Sequence, residues 1–205
     1  MLPAYWPAAA LFLSRCDPVM AALVERFAGV GLQSRGDAFV TLARSIVGQQ
    51  ISVKAAEAVW GRFAARLGQV APEAVLAVPE GELAACGLSR RKVEYVCDLA
   101  RHFAEGRIRV AHWADLDDEA IIAELTGVRG IGRWTAEMFL IFNLLRPDVF
   151  PLDDLGLQRA VSAHYFAGAK PPRRVLAEFG ERWRPWRSVA TWYLWRSLDP
   201  LPVEY

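Results

Sequence analysis

Leu125-Thr126-Gly127-Val128-Arg129-Gly130-Ile131-Gly132-Arg133-Trp134-Thr135-Ala136 places three glycines within six positions. On either side lie segments of helical hydrophobic period. A helix starting at Asp117 or Asp118 carries Ile121, Ile122 and Leu125 and stops at Gly127. A second follows Gly132 and is expected to run until Pro147. The reading is therefore helix, short hairpin, helix. Glycines at this spacing let successive backbone amides turn toward one point, to which the following helix adds its positive N-terminal end, and such a nest suits a phosphate. The same spacing also serves a plain tight turn between packed helices. No lysine and hydroxyl pair follows Gly132, and the preceding element is helical, so neither a Walker loop nor a dinucleotide fingerprint fits.

Working outward, helical period dominates and strand alternation is rare, which makes the chain all-α. Asp17-Pro18 opens a helix carrying Val19, Leu23 and Phe27. Asp37 opens another through Phe39, Leu42, Ile46 and Val47, and Ser52 opens a third through Val59, Trp60 and Phe63. Gly48-Gln49-Gln50-Ile51-Ser52 holds two amide side chains between them. Short helices are expected near 72–77 and 80–85, and a longer one from Ser89 to about Phe103. Toward the C-terminus, Asp154 or Asp153 starts a helix through Leu157 and Val161. Pro172 starts one ending at Gly180, and Pro185 marks the start of the last. The 205 residues suit two helical lobes: 30–110, and a second formed by 1–29 together with 111–205, with a cleft between them.

Composition excludes several classes. Three scattered cysteines, Cys16, Cys86 and Cys97, cannot form a disulfide framework or a four-cysteine metal site. No window reaches eighteen uninterrupted apolar residues, and no signal peptide pattern opens the chain, so a cytoplasmic protein without membrane contact is expected. The net charge is only +1, yet residues 170–187 hold six basic side chains against two carboxylates. With the hairpin, that stretch suggests a surface for a nucleic-acid backbone. Asp153-Asp154 offers one carboxylate for a helix cap and one for chemistry, to activate water or stabilise a cationic transition state. Some of the eight tryptophans could stack on a flipped base. Trp6, Trp60, Trp113 and Trp183 are expected in the core.

These features together resemble the helix-hairpin-helix base-excision DNA glycosylases. Gly130-Ile131-Gly132-Arg133-Trp134-Thr135-Ala136 and Arg182-Trp183-Arg184-Pro185-Trp186-Arg187-Ser188 are similar to segments of the 3-methyladenine DNA glycosylase II, or AlkA, type, and residues 37–198 carry the resemblance. The resemblance implies a monofunctional enzyme that flips alkylated purines such as 3-methyladenine out of duplex DNA and hydrolyses their N-glycosidic bond. Asp154 matches the catalytic aspartate. Trp134, Trp195 and Met138 match pocket positions, although Met138 stands where the type carries tyrosine. Gln50 matches the wedge that fills the vacated stack, a leucine in AlkA. Gln49, Gly127, Gly130, Gly132, Arg133 and Arg187 are the further expected DNA contacts. Trp134 stands where lyase-competent relatives carry a nucleophilic lysine, which argues against strand cleavage.

Arg129 stands where the AlkA hairpin carries a proline, the AlkA type's N-terminal β-rich domain is not expected in these 205 residues, and the iron–sulfur cysteine cluster of other members is not found. No cofactor is expected beyond a structural monovalent cation held by backbone carbonyls near Thr126, Val128 and Ile131. The expected partner is double-stranded DNA with alkylated bases, bound by a monomer without an obligate protein partner. Two other readings remain: a glycosylase for uracil, hypoxanthine or ethenoadenine, and a non-catalytic helix-hairpin-helix DNA-binding module.

Overall fold

A computed structural model describes residues 2–198. Within them lie α1 (Trp6–Cys16), α2 (Pro18–Arg26), α3 (Ala38–Gly48), α4 (Val53–Leu67), α5 (Pro72–Ala77), α6 (Glu80–Ala85), α7 (Arg90–Ala104), α8 (Asp118–Thr126), α9 (Arg133–Phe142), α10 (Leu155–Tyr165), α11 (Arg173–Gly180) and α12 (Arg187–Leu198). Short 3-10 segments lie at Val110–Asp115 and Glu181–Trp183. No strand occurs among the described residues.

Side-chain caps mark where half of these helices begin. Asp17 accepts from Met20 N at 2.9 Å, Asp37 from Val40 N at 2.8 Å and Asp117 from Ala120 N at 2.7 Å, while Ser52 and Ser89 accept from Ala55 N and Lys92 N at 3.3 Å. Each supplies an acceptor to an amide that the helix cannot satisfy itself. Helices α5, α6 and α11 carry no side-chain cap, yet each begins at or directly after a proline, and the sequence places them correctly. No side chain caps α1, which starts around Pro7 and was not anticipated. Helix α9 ends at Phe142 and not at Pro147, because Arg146 N turns back to Leu140 O at 2.9 Å and Leu145 takes a left-handed φ of 54°. Helix α12 begins two residues after Pro185.

The fold divides into two compact units. One is Arg35–Phe139; the other joins residues 2–34 with residues 140–198, so the division falls inside α9. The sequence reading instead drew its boundaries at 29/30 and 110/111, and the 199–205 part of its second lobe lies outside the described residues. In Arg35–Phe139, α7 packs on α3 and α5. Its buried Val93, Val96, Leu99 and Ala100 belong to one core with Phe39, Leu42 and Ile46 of α3, and Phe103 meets Phe39 edge to face at 5.3 Å. Burial of each large apolar side chain stabilises by about 1.5–3 kcal/mol.

In the other unit, α1 and α2 pack on α12. Trp6 meets Trp192 edge-on at 5.3 Å, and Tyr5 donates its hydroxyl to Leu145 O at 2.7 Å. Desolvation pushes the Tyr5 hydroxyl from 10.0 up to about 12. Trp6, Trp113, Trp183 and Trp192 are buried. No described helix is long and apolar enough to cross a membrane.

Candidate active site and nucleic-acid interface

The hairpin is built by the end of α8 and the start of α9. Val128 N bonds back to Leu125 O and Ile131 N to Val128 O, both at 3.1 Å. Ile131 and Val128 are buried, which pins the loop from beneath. The glycines differ in what demands them. Gly130 has φ 87°, and a Cβ there would lie 2.2 Å from the Tyr95 ring, so fold and packing both require glycine. Gly132 has neither a left-handed backbone nor any neighbour within 4 Å of an added Cβ. The tight-turn explanation therefore covers Gly130 but not Gly132.

Arg133, the first residue of α9, donates Nη1 to Glu119 of α8 and Nε to the buried Glu137, each at 2.9 Å. The hydrogen bond from Arg133 holds Glu119 below the ordinary carboxylate range, and reciprocally raises the guanidinium. Arg133 thus ties α8 to α9 while its side chain stays half exposed. Four positions apart on α9, Trp134 and Met138 share a face. Trp134 is 37% exposed and Met138 is buried.

Gln49 and Gln50 occupy the turn after α3. Gln50 is exposed and carries a φ of 58°, unusual for a residue with a Cβ. Gln49 donates its amide to Gly130 O at 3.0 Å.

Asp154 lies in the other unit and is 6% exposed. It is the N-cap of α10: Oδ1 accepts from Leu157 N at 2.6 Å, and from Trp195 Nε1 on α12 at 2.8 Å. One face of Trp195 lies on Phe142, with centroids 5.6 Å apart and planes 12° from parallel. An added Cβ at Gly156 would sit 3.1 Å from both Asp154 Oδ1 and the Trp195 indole, so this glycine makes room for the contact. The two aspartates were expected to divide capping and chemistry between them. Asp154 instead combines the cap with the matched position, and Asp153 is exposed and ion-paired to Arg173 at 3.1 Å. Sequence reading missed Phe142 and Gly156, although a glycine in the first turn of a helix is a usable signal of close approach.

Arg187 is held by the protein's own carboxylates. Its side chain is 14% exposed. Nε reaches Asp148 Oδ1 at 2.8 Å, Nη2 reaches Asp148 O and Oδ2 at 3.0 Å, and Nη1 reaches Glu181 at 3.0 Å. Internal oxygens thus occupy the fork of a residue expected to contact DNA. The neighbouring basic side chains are similarly engaged. Arg174 pairs with Glu178, Arg184 with Asp148 and Glu181, and Arg182 stacks 3.6 Å over Phe179. Among the described residues, no group of three or more His, Cys, Asp or Glu could hold a metal ion.

Comparison with known proteins places this geometry in context. The model of the HhH-GPD superfamily base excision DNA repair proteins matches residues 43–185. DNA-3-methyladenine glycosylase 1 of Schizosaccharomyces pombe is 36% identical over 160 residues, covering 76% of this chain and 70% of the relative. The crystal structure of a DNA-3-methyladenine glycosidase from Bacillus halodurans matches with a TM-score of 0.86 at 34% identity, over 93% of this chain and 89% of that one. A Schizosaccharomyces pombe 3-methyladenine DNA glycosylase in complex with abasic DNA matches with a TM-score of 0.79 at 30% identity, over 97% and 99%. The chain spans 65% to 70% of the length of four curated bacterial and yeast relatives. With the family model covering more than half the chain and the glycine hairpin inside the matched region, this protein belongs to the HhH-GPD superfamily of base excision DNA repair proteins.

Proposed function

We propose that this protein is a monofunctional DNA glycosylase that hydrolyses the N-glycosidic bond of alkylated purines, such as 3-methyladenine, flipped out of duplex DNA. The observation that carries the reading is Asp154: a buried carboxylate at a helix start, with two N–H donors converging on Oδ1. A carboxylate so fixed is oriented before reaction and can stabilise positive charge developing at the sugar. Alkylation has already made the base cationic, so the C1′–N bond breaks with the electron pair leaving on a neutral base. Water then supplies hydroxide to C1′, and Asp154 orients that water while its proton passes to solvent.

The site residues take the following roles. Trp134 and Met138 line the base pocket, and Gln50 enters the stack left by the flipped nucleotide. Trp195 serves chiefly to hold Asp154, since one face is on Phe142 and its N–H on the carboxylate. The amides at Gly130 and Gly132 meet phosphate, which gives the open space at Gly132 a purpose. The position after Arg133 is Trp134, and Lys92 is engaged with Val47 O; strand cleavage through a lysine Schiff base is therefore not part of the reaction. The backbone carbonyls of Thr126, Val128 and Ile131 at the hairpin are the oxygens that would hold a monovalent cation. Such an ion would add positive charge beside phosphate, and no step depends on it.

The test is incubation of the purified protein with methylated duplex DNA and with duplexes containing uracil, hypoxanthine or ethenoadenine, with chromatography of the released bases. Release of alkylpurines supports the assignment. Release confined to a deaminated or etheno base replaces the substrate, and binding without any release points to a non-catalytic DNA-binding module.

A further inference from the structure

The left-handed Gln50 has no glycine to ease its backbone, and such a conformation persists only where its surroundings over-determine it. Two side chains do so. Lys92 of α7 reaches across to donate Nζ to Val47 O at 2.7 Å, capping the carbonyl end of α3 just before the turn. Burial lowers the Lys92 ammonium from its usual range, in keeping with its half-buried position. From the turn itself, the Gln49 amide reaches Gly130 O at 3.0 Å.

Gly130 is in turn seated by the same helix. Its Cα faces the Tyr95 ring too closely for any side chain. Asp98 Oδ2 accepts from Arg129 N at 2.9 Å. Lys92, Tyr95 and Asp98 recur every three residues along one side of α7. That side grips the Gln50 turn with its first member and the hairpin with the other two, and Gln49 ties the two loops directly.

We infer that Gln49 and Lys92 are positioning residues, which hold the Gln50 turn in register with the hairpin so that Gln50 enters the gap of a flipped nucleotide while the hairpin holds the adjoining backbone. Gln49 then acts through Gln50 and not as a DNA contact of its own. The inference rests on the reading of Gln50 as the wedge and goes beyond it by assigning what sets its position.

The experiment is a double-mutant cycle in the full protein, reading the affinity ratio between a duplex with an abasic-site analogue and the same duplex intact, which requires no base release. Gln49→Met keeps side-chain length and removes the N–H donor. It is expected to lower the ratio by about three- to tenfold, the range of one lost hydrogen bond, as is Lys92→Met. Gln50→Ala is expected to lower the ratio as well. In the Gln50→Ala background, Gln49→Met should cost nothing further, because there is no wedge left to position. Thermal melts identify any variant that fails to fold. Should Lys92→Met be one, Gln49→Met carries the cycle alone. Additive losses, an unchanged ratio in Gln49→Met, or an unchanged ratio in Gln50→Ala would each overturn the inference. Failure of the wild-type protein to release any base would overturn the glycosylase reading separately, with the cycle still readable.

Discussion

At Asp154 a structural task and a chemical one meet in a single carboxylate. As an N-cap it is replaceable by asparagine, whose side-chain oxygen accepts the same amide, while alanine removes the acceptor at a cost of about 0.5–2 kcal/mol. As a charge facing a developing cation it is not replaceable by asparagine. Trp195 separates orientation from stacking. Trp195→Phe keeps a ring against Phe142 but deletes the Nε1–H bond to Oδ1. It is expected to lower kcat for base release roughly tenfold or more, as for a hydrogen bond to a charged group, by the same factor for each alkylated base and with little change in KM. A loss that varies strongly from base to base would instead make Trp195 a stacking residue. The matched position of Asp154 is legible in the sequence through the resemblance and through the apolar helix with Leu157 that follows it. Its bond to Trp195 is not, because nothing in a linear string brings residues 41 apart together.

The hairpin element is where two glycines two positions apart are expected to behave oppositely. Gly130→Ala would place a methyl in the Tyr95 ring at a left-handed φ, so a marked fall in melting temperature is expected. Gly132→Ala meets open space and should melt as the wild type does, yet bind duplex DNA more weakly, because the methyl occupies the approach of phosphate. Equal melting of both variants, or undiminished affinity in Gly132→Ala, would contradict this division. Many element boundaries are legible through caps: Asp17, Asp37, Ser52, Ser89 and Asp117 each announce a helix and each binds an amide in the first turn, whereas α5, α6 and α11 begin at or directly after a proline. Helix α1 announces itself with no cap, and the early end of α9 depends on a turn back to Leu140 O that no local pattern encodes.

For the whole molecule, the near-neutral net charge is mirrored in how its arginines are used. The basic run at 170–187 spends much of its charge on Asp148, Asp153, Glu178 and Glu181. Charge counting along residues 170–187 leaves out Asp148 and Asp153, which lie outside the run and come back to pair with its arginines. Arg187→Met is therefore expected to lower the melting temperature, by leaving the half-buried Asp148 short of donors, while leaving the salt dependence of DNA affinity unchanged. A shallower salt slope would restore Arg187 as a phosphate contact. Alkali gives a second global test. Tyr5 titrates at about 12 in the fold against 10.0 as its ordinary value. The stability tied to its neutral hydroxyl is thus fully present below pH 10 and lost as pH rises toward 12. Tyr5→Phe should flatten that part of a stability-against-pH profile. The most direct test of the account as a whole is single-turnover release of alkylpurines from methylated duplex DNA by Asp154→Asn beside the wild type, with melting temperature and affinity for an abasic-analogue duplex measured on the same preparations. The expected result is preserved folding, modestly changed affinity and release slowed by roughly 10²–10³-fold; near-normal release by a folded Asp154→Asn protein would contradict the assignment of Asp154 as the catalytic carboxylate.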